Sequence, residues 1–217
     1  MPTPQVIDIY HDDNVTSFSQ AAQSGIVGII HKASTGATGQ DGSYSTRKPA
    51  ALQAGLLWGA YHWGTAADVN AQITNFLNVI NPSPNPISAL NGILIALDFE
   101  TTTLSDGSDD TMSLAQASEF ITKLDAMLGR KVVIYSGDLL KTDLGNTVDP
   151  FWSAHRLWLA QYSAAPTCQA SWQQPWLWQY AADHAQQIPG IPGDTKGNVD
   201  RNTFLGSIAQ LRQQWAS

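Results

Sequence analysis

The 217-residue chain has one cysteine, little charge and no long hydrophobic run, and each scarcity narrows what the protein can be. Cys168 has no second cysteine to pair with, so the fold does not depend on an internal disulfide or on an oxidising compartment. The apolar stretches are strand-sized, well short of the roughly 20 residues that a membrane-spanning helix needs. The sequence therefore predicts neither a disulfide framework nor a membrane span.

Positive charge is also scarce. Charged residues make up 13% of the chain, the formal net charge is -7, and the sequence contains no basic run. A surface of this sign repels the phosphate backbone that nucleic-acid-binding proteins must grip, so no nucleic-acid partner is expected. The start of the chain lacks the basic and apolar regions of a secretory signal. If the protein is exported, the sequence does not indicate by which route.

Signatures of several catalytic classes are missing as well. The histidines form no HExxH or comparable ligand spacing; they are His11, His31, His62, His155 and His184. There is no GxSxG nucleophile elbow and no glycine-rich phosphate-binding loop. We therefore expect no metal, no cofactor and no serine nucleophile.

What the sequence does contain is an alternation of strand-like and helical segments. Strand-like runs cover residues 6–10, 26–30, 56–62, 92–100 and 131–135, and after residue 150 shorter ones cover 156–162, 175–180 and 198–200. Helical patterns cover residues 17–23, 48–53, 66–79 and 113–128, with a closing helix over 203–215. Ser113 and Gln116 are spaced like a capping box at the start of the fourth helix.

This order of elements predicts an α/β fold, an irregular β/α barrel of five βα units followed by three strands, (β/α)5(β)3. We expect residues 1–217 to form a single domain. An open doubly wound sheet is the alternative, but such sheets usually carry the phosphate-binding glycine fingerprint that this chain lacks.

Two acids end the clearest strand. Residues 92–97 are continuously apolar, and Asp98 and Glu100 follow them. Side chains two apart on a strand point the same way, so both carboxylates are expected at the mouth of the barrel while Leu97 and Phe99 face the helices. A protonated carboxyl beside an ionised one is what glycosidic cleavage requires. The alternative is that these acids cap a loop or pair with a lysine.

Two further acids lie near other strand ends. Asp8 closes the first strand and Asp200 belongs to the last, so both reach the same mouth if the barrel closes. Four converging carboxylates would favour an active site over a loop cap.

Aromatic residues supply candidates for sugar binding, because flat rings stack on the apolar faces of pyranoses. Trp63 ends the third strand, and Tyr135, Tyr162 and Trp178 lie in or near later strands. Lys32 follows the second strand, where it either holds a carboxylate by charge or is solvated. Four other tryptophans are expected to pack in the core: Trp58, Trp152, Trp172 and Trp215.

Eight short segments, spread in order over nearly the whole chain, carry a family resemblance. They are Ile7-Asp-Ile9, His31-Lys-Ala-Ser-Thr-Gly36, Gly59-Ala-Tyr-His-Trp63, Leu97-Asp-Phe-Glu100, Ile134-Tyr-Ser136, Leu157-Trp-Leu-Ala-Gln-Tyr162, Trp178-Gln-Tyr180 and Val199-Asp-Arg-Asn202. Together they resemble the family 25 glycoside hydrolases, the N-acetylmuramidase type of lysozyme. The resemblance implies cleavage of the β-1,4 bond between N-acetylmuramic acid and N-acetylglucosamine in peptidoglycan.

By that resemblance, Glu100 is the general acid, Asp98 its partner, and Asp8 and Asp200 frame the floor of the site. Tyr61 is then a hydrogen-bonding aromatic near the reacting sugar. Asp98 acts as a nucleophile, as an electrostatic stabiliser, or by orienting the substrate's N-acetyl group; the sequence does not separate these roles.

The chain also departs from the family pattern. Tyr10 stands where a small hydroxyl residue is common, and Thr35 replaces an acid often seen after the second strand. Both changes affect the rim more than the acids, and they bear on subsite preference.

Two other functions are weighed against the muramidase. One is a glycan-binding barrel without turnover, which the intact acid pair disfavours. The other is a glycosidase for chitin-like polymers, disfavoured because the chitinase signature has a further acid where this chain has Ala96. A muramidase would act on the cell wall, outside the cytoplasm or in the periplasm, and we expect it to be a monomer.

Overall fold

The computed structural model describes residues 3–182 and 188–217, so His184 lies outside the described residues. The strands are β1 Val6–Ile9, β2 Gly28–Thr35, β3 Gly39–Gln40, β4 Leu57–Trp63, β5 Leu94–Asp98, β6 Val133–Ser136, β7 Leu157–Ala160, β8 Leu177–Ala181 and β9 Asp200–Phe204. The helices are α1 Phe18–Gln23, α2 Ser43–Gln53, α3 Val69–Ile80, α4 Leu114–Leu128, α5 Asp138–Leu144, α6 Pro150–Ser153 and α7 Ile208–Gln214, with a 3-10 turn at Ile87–Leu90.

Eight of these strands close into a barrel. The sheet order is β1-β9-β8-β7-β6-β5-β4-β2-β3, and β1 also pairs with β2, which joins the two ends. The two-residue β3 lies outside the ring, antiparallel to β2. A closed α/β barrel is thus confirmed. Helices follow β1, β4, β5 and β6 and the β2–β3 hairpin, whereas β7 and β8 are followed by no helix within the described residues.

The last strand differs in direction from the others. The pairs from β1 through β2, β4, β5, β6, β7 and β8 are parallel, but β9 is antiparallel to both β8 and β1. An antiparallel strand begins at the edge where its parallel neighbours end. The start of β9 therefore lies at the mouth of the barrel.

Helix boundaries follow the capping chemistry. Ser113 accepts a hydrogen bond from the Gln116 backbone and Gln116 returns one, so the predicted capping box is confirmed. A second box at Ser207 and Gln210 starts α7 after β9, which makes the predicted helix start at Thr203 wrong. The short helices α5 and α6 were not predicted.

Two apolar layers hold the barrel together. The interior layer lies inside the ring of strands, and the outer layer fills the space between strands and helices. Trp215, after α7, closes the bottom of the interior; its indole Nε1 donates to the Trp58 carbonyl at 2.8 Å. A Cβ on Gly28 would lie 2.7 Å from the Trp215 ring, so this close approach needs glycine. Trp58, Trp152 and Trp215 are at most 2% exposed, as expected for packing residues.

None of the helices in the described part of the chain is long and apolar enough to cross a bilayer.

Candidate active site

Four carboxylates meet at the mouth of the barrel. Asp98 is the last residue of β5, Glu100 follows two residues later, and Asp8 lies near the end of β1. Asp200 begins the antiparallel β9 and is the register partner of Asp8. The structure therefore brings together the four acids that the sequence placed near strand ends.

Alternation along β5 sets the direction in which Asp98 and Glu100 point. Leu97 and Phe99 pack in the outer layer and Ala96 in the interior layer, so Asp98 and Glu100 share the inward face, as predicted. Asp98 is only 3% exposed, and its Oδ1 has no hydrogen-bond partner among the described residues. Glu100 is half-buried and borders a cavity of about 270 Å³.

Burial raises the pKa of both acids. For Glu100, burial and then the charge of Asp200 raise the pKa to about 7. For Asp98, burial and then Glu100 raise the pKa well above its ordinary value, while the Lys32 ammonium acts in the opposite direction. Two neighbouring carboxyls of this kind hold a proton in the neutral range.

Asp8 lies at the floor of the site within a network of amides. The Asn202 Nδ2 donates to Asp8 Oδ1 at 2.7 Å, and the Gln179 Nε2 lies 3.0 Å from both Asp8 oxygens. The same nitrogen lies 3.5 Å from Asp200 Oδ2. Burial and Asp200 raise the pKa of Asp8, and the two amides oppose that shift.

The amides are themselves held by aromatic donors. Tyr135 and Tyr162 donate their hydroxyls to Gln179 Oε1 at 2.8 and 2.7 Å. Trp158 donates its indole N–H to Asn202 Oδ1 at 2.6 Å. Tyr135 is 7% exposed, whereas Tyr162 is 59% exposed at the rim.

Gln179 and Asn202 were not identified from the sequence. Both are fully buried amides within strands, and a polar residue on the inward face of a barrel strand needs partners. That pattern is the signal that could have found them.

Tyr61 faces the same interior from β4 and is 9% exposed. Burial raises the pKa of Tyr61, and the charges of Asp98, Asp8 and Asp200 raise it further. The hydroxyl therefore lies within the field of the acids as a neutral donor.

Trp178 is not at the mouth, contrary to its predicted role in substrate binding. It is 4% exposed in the outer layer, and its Nε1 donates to the Gln161 carbonyl at 2.7 Å. Leu177 packs in the interior layer and Gln179 bonds Asp8, so alternation along β8 turns Trp178 outward.

Lys32 and Trp63 lie together at the side of the mouth formed by β2 and β4. The Trp63 indole N–H donates to Thr102 Oγ1 at 2.7 Å, and the Lys32 Nζ lies over the Trp63 ring. Burial lowers the pKa of Lys32, while Asp98 and Asp41 raise it. The charges of Lys32 and Asp98 therefore act on each other, while the ammonium group lies against the Trp63 ring.

No group of three or more His, Cys, Asp or Glu side chains in the described ranges is arranged to hold a metal ion. Cys168 is half-buried, and burial raises the pKa of its thiol.

Comparison with known proteins places this chain among the glycosyl hydrolases. A family model described as glycosyl hydrolases family 25 matches residues 7–191. Lysozyme M1 of Streptomyces globisporus is 28% identical over 215 residues, which cover 95% of this chain and 69% of that protein. An autolytic lysozyme of Clostridium acetobutylicum is 28% identical over 171 residues, covering 76% of this chain and 48% of that protein.

Solved structures agree with the sequence relatives. A bacterial lysozyme from Streptomyces coelicolor superposes with a TM-score of 0.79 at 27% identity, covering 97% of this chain and 95% of the other. A muramidase from Trichobolus zukalii gives a TM-score of 0.76 at 27% identity and covers 97% of both chains.

Proposed function

This chain belongs to family 25 of the glycosyl hydrolases, and we propose that it is a muramidase cleaving the β-1,4 bond between N-acetylmuramic acid and N-acetylglucosamine in peptidoglycan. Relatives named lysozyme and muramidase support this substrate. The proposed place of action is the cell wall, outside the cytoplasm or in the periplasm.

The observation that carries the proposal is the pair at the end of β5. Glu100 is half-buried, borders the cavity at the mouth, and has a pKa raised to about 7. A carboxyl with this pKa is about half protonated at neutral pH, so a large share of the molecules can release the proton to a leaving glycosidic oxygen. Glu100 is therefore the proposed general acid.

Asp98 is the proposed partner carboxylate. It is more deeply buried than Glu100; burial and the Glu100 charge raise its pKa, and the Lys32 charge opposes that shift and favours the ionised form. A buried anion suits stabilisation of the positive charge that develops on the sugar ring in the oxocarbenium-like transition state. Asp8 and Asp200 are the proposed acids on the floor of the site, and the Tyr61 hydroxyl on β4 is assigned to hydrogen-bond the reacting sugar.

Substrate contacts are assigned to the rim. Trp63 offers a ring face on the side away from Lys32, and the exposed Tyr162 offers a second. Tyr135 borders the site from β6 beneath Tyr162, and both are tied to Gln179. Trp178 is left out of this set because it faces outward.

The test is Glu100→Gln, which keeps the shape of the side chain but has no proton to give. We expect release of reducing ends from purified peptidoglycan to fall by about 10²- to 10⁴-fold, with normal folding. Glu119→Gln is the matched control, since Glu119 is on the exposed face of α4, ion-paired with Lys123. Unchanged release by Glu100→Gln would overturn the assignment.

Product analysis separates the alternative functions. Reduction of the new ends followed by mass spectrometry identifies reduced N-acetylmuramic acid if the proposal is right. Reduced N-acetylglucosamine, or faster cleavage of chitin oligomers, would indicate a different glycosidase. Binding without any release by the unaltered protein would indicate a glycan-binding barrel.

A further inference from the structure

We propose that Gln179 is a positioning residue of the active site: held by the Tyr135 and Tyr162 hydroxyls, it directs its N–H bonds at Asp8 and Asp200 and thereby holds the Asp8 carboxyl in place as a hydrogen-bond acceptor. The inference rests on the proposed function for its catalytic consequence. Its geometry is independent of that function.

The Gln179 amide turns its oxygen toward the two tyrosines and its nitrogen toward the acids. Both hydroxyls donate to Oε1, which turns Nε2 toward Asp8, 3.0 Å from each of its oxygens, and toward Asp200 at 3.5 Å. Reversing the amide would set its oxygen against the Asp8 carboxylate, an arrangement that requires a proton on Asp8. The observed orientation therefore favours the ionised form of Asp8.

A second amide reaches Asp8 with its orientation fixed independently. The indole of Trp158 can only donate, so Asn202 Oδ1 must face Trp158 and Asn202 Nδ2 must face Asp8, as the 2.6 and 2.7 Å distances show. Asp8 thus accepts from two separately oriented donors. Hydrogen bonds to a carboxylate favour its charged form.

Several acidic groups around Asp8 act against these donors. Asp200 from β9 and Asp13 from the loop after β1 raise the pKa of Asp8, and Asp98 from β5 and the Tyr61 hydroxyl from β4 interact with the same charge. The Tyr135 and Tyr162 hydroxyls interact with the same charge. All of these groups are acidic, and burial raises the pKa of Asp8 as well. Without the amide N–H groups, Asp8 would hold a proton to a higher pH.

The catalytic consequence is electrostatic. An ionised Asp8 stabilises positive charge that develops above the floor, whereas a protonated Asp8 does not. Gln179 itself is 1% exposed and bonded on all sides, so its effect on turnover is exerted through Asp8.

The first experiment replaces Gln179 with methionine, which has a similar length and no N–H. We expect Gln179→Met to lower kcat about 10- to 100-fold with KM within about threefold, and to move the acidic limb of the kcat profile up by about one pH unit. The matched control is Gln169→Met. Gln169 is also a buried amide, 4% exposed, but it donates to the carbonyls of Gly145 and Thr147. This control should lose stability and leave the limb where it is.

The second experiment measures the titration of the Asp8 carboxyl directly. The midpoint of Asp8, followed by carboxyl carbon NMR, should rise in Gln179→Met relative to the unaltered protein. The double variant Tyr135→Phe, Tyr162→Phe keeps the amide but releases its clamp, and it should shift the midpoint in the same direction by a smaller amount. It also serves as the test if Gln179→Met does not fold.

An unmoved Asp8 midpoint together with an unmoved acidic limb would overturn the inference. Failure of the proposed function gives a different pattern, because retained activity in Glu100→Gln would reassign the chemistry while the NMR midpoint of Asp8 still reported on Gln179.

Discussion

The ammonium nitrogen of Lys32 lies 4.6 Å from the centroid of the Trp63 ring. A β-bulge in β2 between Lys32 and Ser34 sets this position, and the Ser34 hydroxyl is hydrogen-bonded to His62 Nδ1 at 2.8 Å just beyond it. Bulges redirect side chains beside active sites. Here the bulge places a positive charge within the field of Asp98.

Replacing Lys32 with methionine should remove that charge while keeping most of the side-chain volume. The pKa of Asp98 then rises further, because only burial and the neighbouring acids remain to act on it. We expect kcat on peptidoglycan to fall about tenfold at neutral pH, and the acidic limb of the pH–rate profile to move to higher pH. Steady-state rates from pH 4 to 9 measure both.

Lys48→Met provides the comparison for Lys32→Met. Burial lowers the pKa of Lys48 too, but Lys48 is on α2 and no carboxylate contributes to its shift. A rate loss of equal size in both variants would contradict a specific action of Lys32 on Asp98.

Much of this site follows from strand order alone. Asp98 and Glu100 follow a continuously apolar strand, and period-two alternation then fixes their direction. Alternation alone does not predict that Asp8 and Asp200 lie side by side, because their proximity depends on closure of the barrel and on the direction of β9. The sequence predicted the closure but contains no pattern that identifies β9 as antiparallel.

The sequence was less informative about β8. The residue types in Leu177–Ala181 do not show which side of β8 faces the barrel interior. Pairing with β7 and β9 determines that side. The prediction that Trp178 binds substrate rests on the preference of sugar sites for aromatic rings. Local pattern does not encode tertiary register, so the amide network could not be derived from it.

Asp13 should make stability depend on pH. It is 5% exposed, and burial raises its pKa to about 7, so the folded state holds a proton that the unfolded state releases near pH 4. The folded state binds more protons between these values, and stability falls as pH rises from about 4 to about 7. Asp13→Asn should therefore be more stable than the unaltered protein at pH 8, by up to about 4 kcal/mol, and equal to it at pH 4.

Urea unfolding at both pH values measures the Asp13→Asn difference. The asparagine oxygen can still accept from the Tyr10 backbone N–H, which Asp13 Oδ2 does at 2.8 Å. Asp12→Asn is the control because the Asp12 side chain is 59% exposed. A gain that is the same at pH 4 and pH 8 would rule out the buried charge as its cause.

Trp215 should contribute to stability without taking part in the site. It is 1% exposed beneath the interior layer, so Trp215→Ala should cost about 3–5 kcal/mol of unfolding free energy. Gly28→Ala should also destabilise, since its methyl group would meet the Trp215 ring.

Denaturant curves give the size of the Trp215 effect, and kcat measured well below the melting temperature should stay within about twofold. A large change in kcat with little loss of stability would mean that the bottom of the barrel acts on the mouth.

The pairing of β1 with β9 also bears on how the protein is made. Asn202 bonds Asp8 across 194 positions of sequence, and the Asp8–Asp200 register needs the same long-range contact. During translation, the edge of β1 that pairs with β9 stays unpaired until β9 has left the ribosome. Contacts this distant form late and slowly. A nascent chain thus carries Glu100 and Asp98 long before Asp8 and Asp200 meet beneath them, and the proposed site is complete only once the barrel has closed.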